Sequence, residues 1–170
     1  MAHEAQKQWH LPLLVVGPAD VLRLTRELEA LDEYLHQASL RKGGDEAAKL
    51  PRTSRALDDF ALTNDLNMLH ADDRKQGKEF LMSVEGHSPV VTMSFAVDPS
   101  SAFIGKIITW LRQNVHPQLL LRVGLQPTIG AGCTLRTANH YFDFSLRQHF
   151  ETQKQVLIDQ LHASTHEGQA

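Results

Sequence analysis

Gly130 and Gly132, in the run "LQPTIGAGCTLRTANHYFDFSLRQHF", form a Gly-x-Gly pair of the kind that can hold a phosphate on backbone amides. A phosphate cradle needs its glycines between a strand and the first turn of a helix, where amides and dipole converge on the anion. The residues after Gly132 read as a strand. The third glycine of a dinucleotide fingerprint is missing, and so are the Lys and Ser/Thr of a P-loop. The expectation is therefore that both glycines serve backbone geometry, through positive φ or a bulge, and that no cofactor binds.

Other residue types point to chemistry no more strongly. Ten histidines are scattered along the chain. The helical i,i+4 pair His162 and His166 lies in a polar tail without a third ligand, so no metal is expected. Asp58-Asp59 and Asp72-Asp73 resemble paired carboxylates, but neighbours on a helix diverge by about 100° and cannot share a substrate. They read as caps and exposed faces. Cys133 is the single cysteine. It reads as a small, buried hydrophobe on a strand, with no base beside it in sequence and no nucleophile-elbow serine elsewhere. No catalytic residue is assigned.

Composition narrows the class further. A chain of 170 residues that is 42% apolar can bury one good core. With 17 basic and 20 acidic residues, net charge -3, it lacks the basic excess of a nucleic-acid binder, and a protein partner is the better expectation. The apolar run Leu11 to Val16 is too short for a signal sequence or a membrane span, so the chain reads as cytoplasmic, reaching a membrane only through other proteins.

The elements that must position these residues fall into two regions. In 1–88 the pattern is helical. Val21, Leu24, Leu28, Leu31, Leu35 and Ala38 follow heptad spacing behind Pro18 and Asp20, and the seam suits either a helix docked on its own domain or a partner helix. A flexible linker is expected at 39–54, where Gly43, Gly44 and Pro51 concentrate. A second helix starts at Ser54, carries Leu57 and Phe60 and ends near Asn67. A third is capped by Asp72, buries Phe80, Leu81 and Val84, has Gly77 as a weak point and stops at Gly86.

After Pro89 the period changes. Val91, Met93, Phe95 and Val97 alternate as a half-buried strand. Ser100 or Ser101 then caps a helix whose stripe of Phe103, Ile104, Ile107, Ile108 and Leu111 could cover a sheet. A second strand turns Leu119, Leu121, Val123 and Leu125 inward and is stopped by Pro127. "CTLRT" is a third, with a tight turn at 138–140, and Asp143 or Ser145 opens a last helix bearing Leu146, Phe150, Leu157 and Leu161 on one side. Trp110, Phe142 and Phe144 read as core, and any of them left exposed would be an interface anchor. The fold class is α+β: N-terminal helices, then a β-α-β-β-α domain at 89–162 on a short mixed sheet, then a disordered tail at 163–170.

The C-terminal residues resemble a known family. Gln126-Pro127, Ile129-Gly130-Ala131-Gly132, the turn at Ala138 to His140, and Asp143-Phe144-Ser145-Leu146-Arg147 are similar to the C-terminal segment of the F-type ATP synthase delta subunit, the equivalent of the oligomycin-sensitivity-conferring protein. The resemblance covers 89–162. Residues 1–88 lack the six-helix bundle with which that family opens. In the motif, Pro127, Gly130, Gly132, Asp143, Ser145, Leu146 and Arg147 are structural positions. The resemblance implies a non-catalytic subunit of the peripheral stalk, a stator between the catalytic head and the membrane-anchored b subunits that supports proton-driven ATP synthesis. Its partners would be the b-type stalk and head subunits, met through Leu24, Leu28, Leu31 and Leu35 and through Phe150, Leu157 and Leu161. The alternative is an E-subunit-like stalk or stator protein of a V/A-type, flagellar or secretion ATPase.

Overall fold

The computed structural model describes residues 8–40, 52–146, 153–154 and 158. The linker expected at 39–54, Arg147, Phe150, Leu157, Leu161 and the pair His162 and His166 lie wholly or mostly outside them. The elements are α1 (Pro18–Leu40), α2 (Arg55–Thr63), α3 (Ala71–His87), β1 (Val90–Phe95), α4 (Ser101–Asn114), β2 (Leu120–Leu125), a short 3₁₀ turn (Pro127–Ile129), β3 (Gly132–Arg136) and β4 (Tyr141–Ser145). This is an α+β chain with a four-stranded mixed sheet, as the change of period implies. It divides into two compact units, Met1–Val90 with Ser101–Leu121, and Val91–Ser100 with Arg122–Ala170.

The first unit is built on the α1 seam. Asp20 Oδ2 accepts from the Val16 and Gly17 amides, which fixes where α1 starts. Val21, Leu24, Leu28 and Leu31 are buried, and α1 packs against α3 and α2. Ser54 caps α2 through its hydroxyl on the Leu57 amide. The helix ends at Thr63, earlier than its apolar pattern suggests, because the buried Asn64 amide takes the Phe60 carbonyl and Asp65 turns to φ 49°. The same Asn64 side chain accepts from the His10 N–H and donates to the His10 carbonyl, so an N-terminal strap lies across the helices. Trp9 on that strap stacks with Phe80 at 5.0 Å and Phe60 at 6.3 Å.

Several expected details of α3 change. His70, not Asp72, is the N-cap, Gly86 lies inside the helix, and Ser88 ends it. Gly77 is buried against Phe60, Leu66 and Leu28, so its missing side chain lets neighbouring side chains approach the helix and is not simply a weak point.

The sheet order is β2-β1-β3-β4, with β1–β3 and β3–β4 antiparallel. Leu120 donates to the Pro89 carbonyl and Gln126 to the Phe95 carbonyl, an equal advance along both strands, so β2 runs parallel to β1 as a helical crossover requires. Val91, Met93 and Phe95 are buried, but Val97 lies past the end of β1 and is exposed. On β2 the alternation fails. Leu119, Leu120 and Leu121 are buried consecutively while Val123 and Leu125 are exposed, as befits an outer strand. On α4 the buried stripe narrows to Ile104, Ile108 and Leu111, and both Phe103 and Trp110 are exposed. Periodicity assigns α4 to the C-terminal domain, yet it groups with the N-terminal helices. The tie is Arg112, whose guanidinium donates to the carbonyls of Leu11, Pro12, Val15 and Leu119.

Candidate functional site

The motif between Gln126 and Leu146 is a turn and a hairpin. Pro127 sets the first turn of the 3₁₀ segment, in which Ile129 N donates to Gln126 O and Gly130 N to Pro127 O, both at 3.1 Å. Ile129 is the buried anchor of the turn. Gly130 follows with φ 78° and Gly132 with φ 93°, and β3 starts at Gly132. A strand thus leaves the glycines, and the amides of Ile129 and Gly130 are spent on the turn itself. The arrangement bends the backbone from the 3₁₀ turn into β3.

Gly132 has a second constraint. It pairs with Ser145 across the hairpin, and a Cβ at this position would sit 2.3 Å from the Phe144 carbonyl oxygen. The far end of the hairpin is closed by Thr137 and His140, bonded backbone to backbone, with the Thr137 hydroxyl accepting from the His140 amide. Leu146 N returns to the Ala131 carbonyl at 3.0 Å. The turn and the end of β4 therefore lock each other.

Asp143 lies within β4, opposite Thr134, and does not begin a helix. Its carboxylate accepts from the Ser145 amide at 2.8 Å. Ser145 is buried and ends β4, Asp143 braces that strand end, and the last helix expected from here lies almost wholly outside the described residues.

Cys133 is half-buried, opposite Phe144 and beside Phe95 in register, and burial, with the Asp143 charge adding, raises its thiol pKa. A raised pKa makes a poor nucleophile at neutral pH. Since Asp143 contributes to the shift, Asp143→Asn is expected to lower the thiol pKa. The pH at which alkylation of Cys133 by iodoacetamide reaches half its maximal rate should then move down, and an unmoved profile would show the carboxylate to be irrelevant to the thiol.

Other candidates separate. Leu24, Leu28 and Leu31 are committed to the core of the first unit, so the partner-facing role expected for them is corrected; Leu35 is half-buried. Asp58 accepts from the Thr53 hydroxyl and Asp73 from the Asn67 amide, both local ties at helix starts. Among the described residues no three His, Cys, Asp or Glu side chains gather as a metal site. Phe142 and Phe144, expected in the core, are exposed and stack with His140 along one face of β4, with centroids 6.0 and 6.2 Å apart. Sequence reasoning also missed Arg112 and Trp9, although an arginine beside an apolar helical stripe is a legible signal of a buried donor. No family model matches the chain, and a search of curated proteins returns no match.

Proposed function

We propose that this chain is a non-catalytic, delta-like subunit of an F-type ATP synthase, a peripheral-stalk connector between the catalytic head and the membrane-anchored b subunits. One observation carries the reading: both glycines of the Ile-Gly-Ala-Gly turn adopt positive φ and feed an antiparallel hairpin whose return strand holds Asp143 and ends at Ser145. The glycine turn and the hairpin support the resemblance, while Asp143 departs from it by lying within β4.

The work of such a subunit is mechanical. Rotation delivers torque only if the head is held still, and resisting torque calls for wide, well-packed contact surfaces, not for tuned side-chain pKa values. The exposed apolar side chains Trp110, Phe103, Phe142 and Phe144 are of the type that anchors protein partners. No helix among the described residues is long and apolar enough to cross a membrane, so attachment to the membrane would run through the b subunits.

Affinity purification of the tagged full chain from native membranes, followed by mass spectrometry, tests the proposal. The expected result is recovery of b-type and head subunits of the F-type enzyme in fixed ratio to the chain. Recovery of a V/A-type or export ATPase in their place, or an ATP synthase that lacks the chain, would overturn it.

A further inference from the structure

Strand pairing fixes which side chains share a face of the sheet. Thr92 lies opposite Arg136, and Arg136 opposite Tyr141. On the other side of β1, Leu120 N donates to Pro89 O and Gln126 N to Phe95 O, which places Leu119 beside Pro89 and Leu125 beside Phe95. Arg122, midway along β2, therefore stands beside Thr92. In the next row Gly124 stands beside Ser94, and a Cβ on that glycine would lie 3.0 Å from the Ser94 hydroxyl oxygen. One row across β2-β1-β3-β4 thus reads Arg122, Thr92, Arg136, Tyr141, on the face opposite the buried Met93 and Phe95.

The row carries two cations and no carboxylate. Arg122, Arg136 and Tyr141 are exposed, and Thr92 is half-buried. Neither arginine joins an ion pair among the described residues, where the paired cations are Arg23, Arg74 and Lys78. The sequence supplies the cause. No Asp or Glu occurs between Asp98 and Asp143, and β1 has none either, so three of the four strands offer no anion. β4 has Asp143, in the next row opposite Thr134, where its carboxylate accepts from the Ser145 amide. Two like charges with Thr92 alone between them hold a positive potential over this part of the face.

We infer that this row docks an acidic helix of a partner protein, through two carboxylates two turns apart on one side of that helix. Arginine's planar fork suits a carboxylate, which it binds through two parallel hydrogen bonds. Spacing selects the helix. Arg122 and Arg136 stand two strand spacings apart, about 9.5 Å between their backbones. Residues i and i+7 of an α-helix share a face and lie about 10.5 Å apart. Same-side residues of an extended peptide fall at about 7 or about 13 Å instead. The Tyr141 hydroxyl, one strand beyond Arg136, can donate to a polar group on the following turn.

A nucleic acid suits this face less well. Its affinity grows with the number of phosphates neutralised, and two arginines neutralise few. A continuous phosphate chain would also meet Asp143 in the adjoining row, whereas an isolated pair of carboxylates is directed to the arginines. The chain as a whole has net charge -3, so the row is a local exception and not part of a basic surface. The inference is independent of the stalk reading, since it rests on the sheet face alone.

The test is an NMR titration of the isotope-labelled full chain at about 20 mM salt. The probe is an alanine-rich helical peptide of about 20 residues, with blocked termini and Glu at i and i+7 as its only charges. Exposed ion pairs are weak, so binding on the order of millimolar is expected, read as shifts at residues 92, 122 and 136 that vanish at about 0.5 M salt. Arg122→Gln and Arg136→Gln should each weaken it about threefold, and together about tenfold. Replacing both peptide glutamates by glutamine should abolish it. Moving the second to i+9, on the opposite side of the helix, should weaken it as much as losing one arginine does. Silence at the row with several millimolar peptide, or equal binding of the i+7 and i+9 peptides, overturns the inference. So does a single-stranded oligonucleotide of about ten nucleotides that binds the row more tightly than the peptide, which would assign the face to nucleic acid. Should an arginine variant fail to fold, the peptide series, which leaves the protein untouched, decides.

Discussion

Gly132→Ala is expected to unfold the hairpin that carries the motif, with a loss of about 3 kcal/mol or more, while Gly130→Ala at the neighbouring glycine costs roughly half as much. The two glycines share a conformational demand, φ 93° and 78°, which L-residues adopt at a cost of about 1–3 kcal/mol. They differ in space. A methyl at Gly130 meets nothing within 4 Å, whereas at Gly132 it would lie 2.3 Å from the Phe144 carbonyl oxygen and 3.0 Å from the Ser145 Cα. Backbone atoms cannot rotate away as a side chain would. Relief requires β4 to separate from β3, which sacrifices the ladder from Gly132↔Ser145 inward and the Leu146 to Ala131 bond that locks the turn. Thermal unfolding followed by circular dichroism, with Cys133 alkylation as a local probe, checks the ranking. Faster alkylation in Gly132→Ala than in Gly130→Ala is expected, and equal effects of the two substitutions would show that φ alone governs the turn.

How much of this was legible in the residues depends on whether a signal is local. Heptad spacing from Val21 to Leu31 predicted a helix and its buried face, because a period of 3.6 is written within one element. The change of period after Pro89 predicted β1, and two glycines followed by alternation predicted a backbone turn into a strand. What failed was local propensity meeting tertiary context. Phe142 and Phe144 read as core by residue type, but β4 is an outer strand, and sheet order is a property of all four strands together. Val123 and Leu125 failed for the same reason on the opposite edge. Asp143 has the composition of a helix cap, yet register with Thr134 holds it in β4 and its carboxylate serves the amide two residues on. Leu24, Leu28 and Leu31 illustrate a different limit: the same seam suits a partner helix or the chain's own α3, and pattern alone does not choose between them.

The place of Arg112 beside an apolar stripe signals a buried donor but not its acceptors, which are carbonyls distant in sequence, and its replacement is the second change expected to have a large effect. Its Nη2 donates to Val15 O at 2.5 Å, Nη1 to Pro12 O at 3.0 Å and Leu11 O at 3.3 Å, and Nε to Leu119 O at 3.2 Å. No carboxylate is among these acceptors. Burial of the uncompensated cation lowers its pKa to about 10. Four carbonyls from two chain segments thus converge on one fork, which lysine's single ammonium cannot reproduce. Arg112→Met keeps the apolar stem but strands the carbonyls beside the buried Leu11 and Val15, at a cost on the order of 3 kcal/mol; Arg112→Lys should lose less. Because the folded pKa lies below the ordinary value, burial disfavours the protonated form, and any gain in stability from this group with rising pH appears only above about pH 10. Between pH 6 and 9 the wild-type and Arg112→Met denaturation midpoints in urea should therefore run parallel, separated by a constant gap. A gap that closes as the pH rises through neutrality would mean that a titrating partner, not the carbonyl cluster, is what the guanidinium serves.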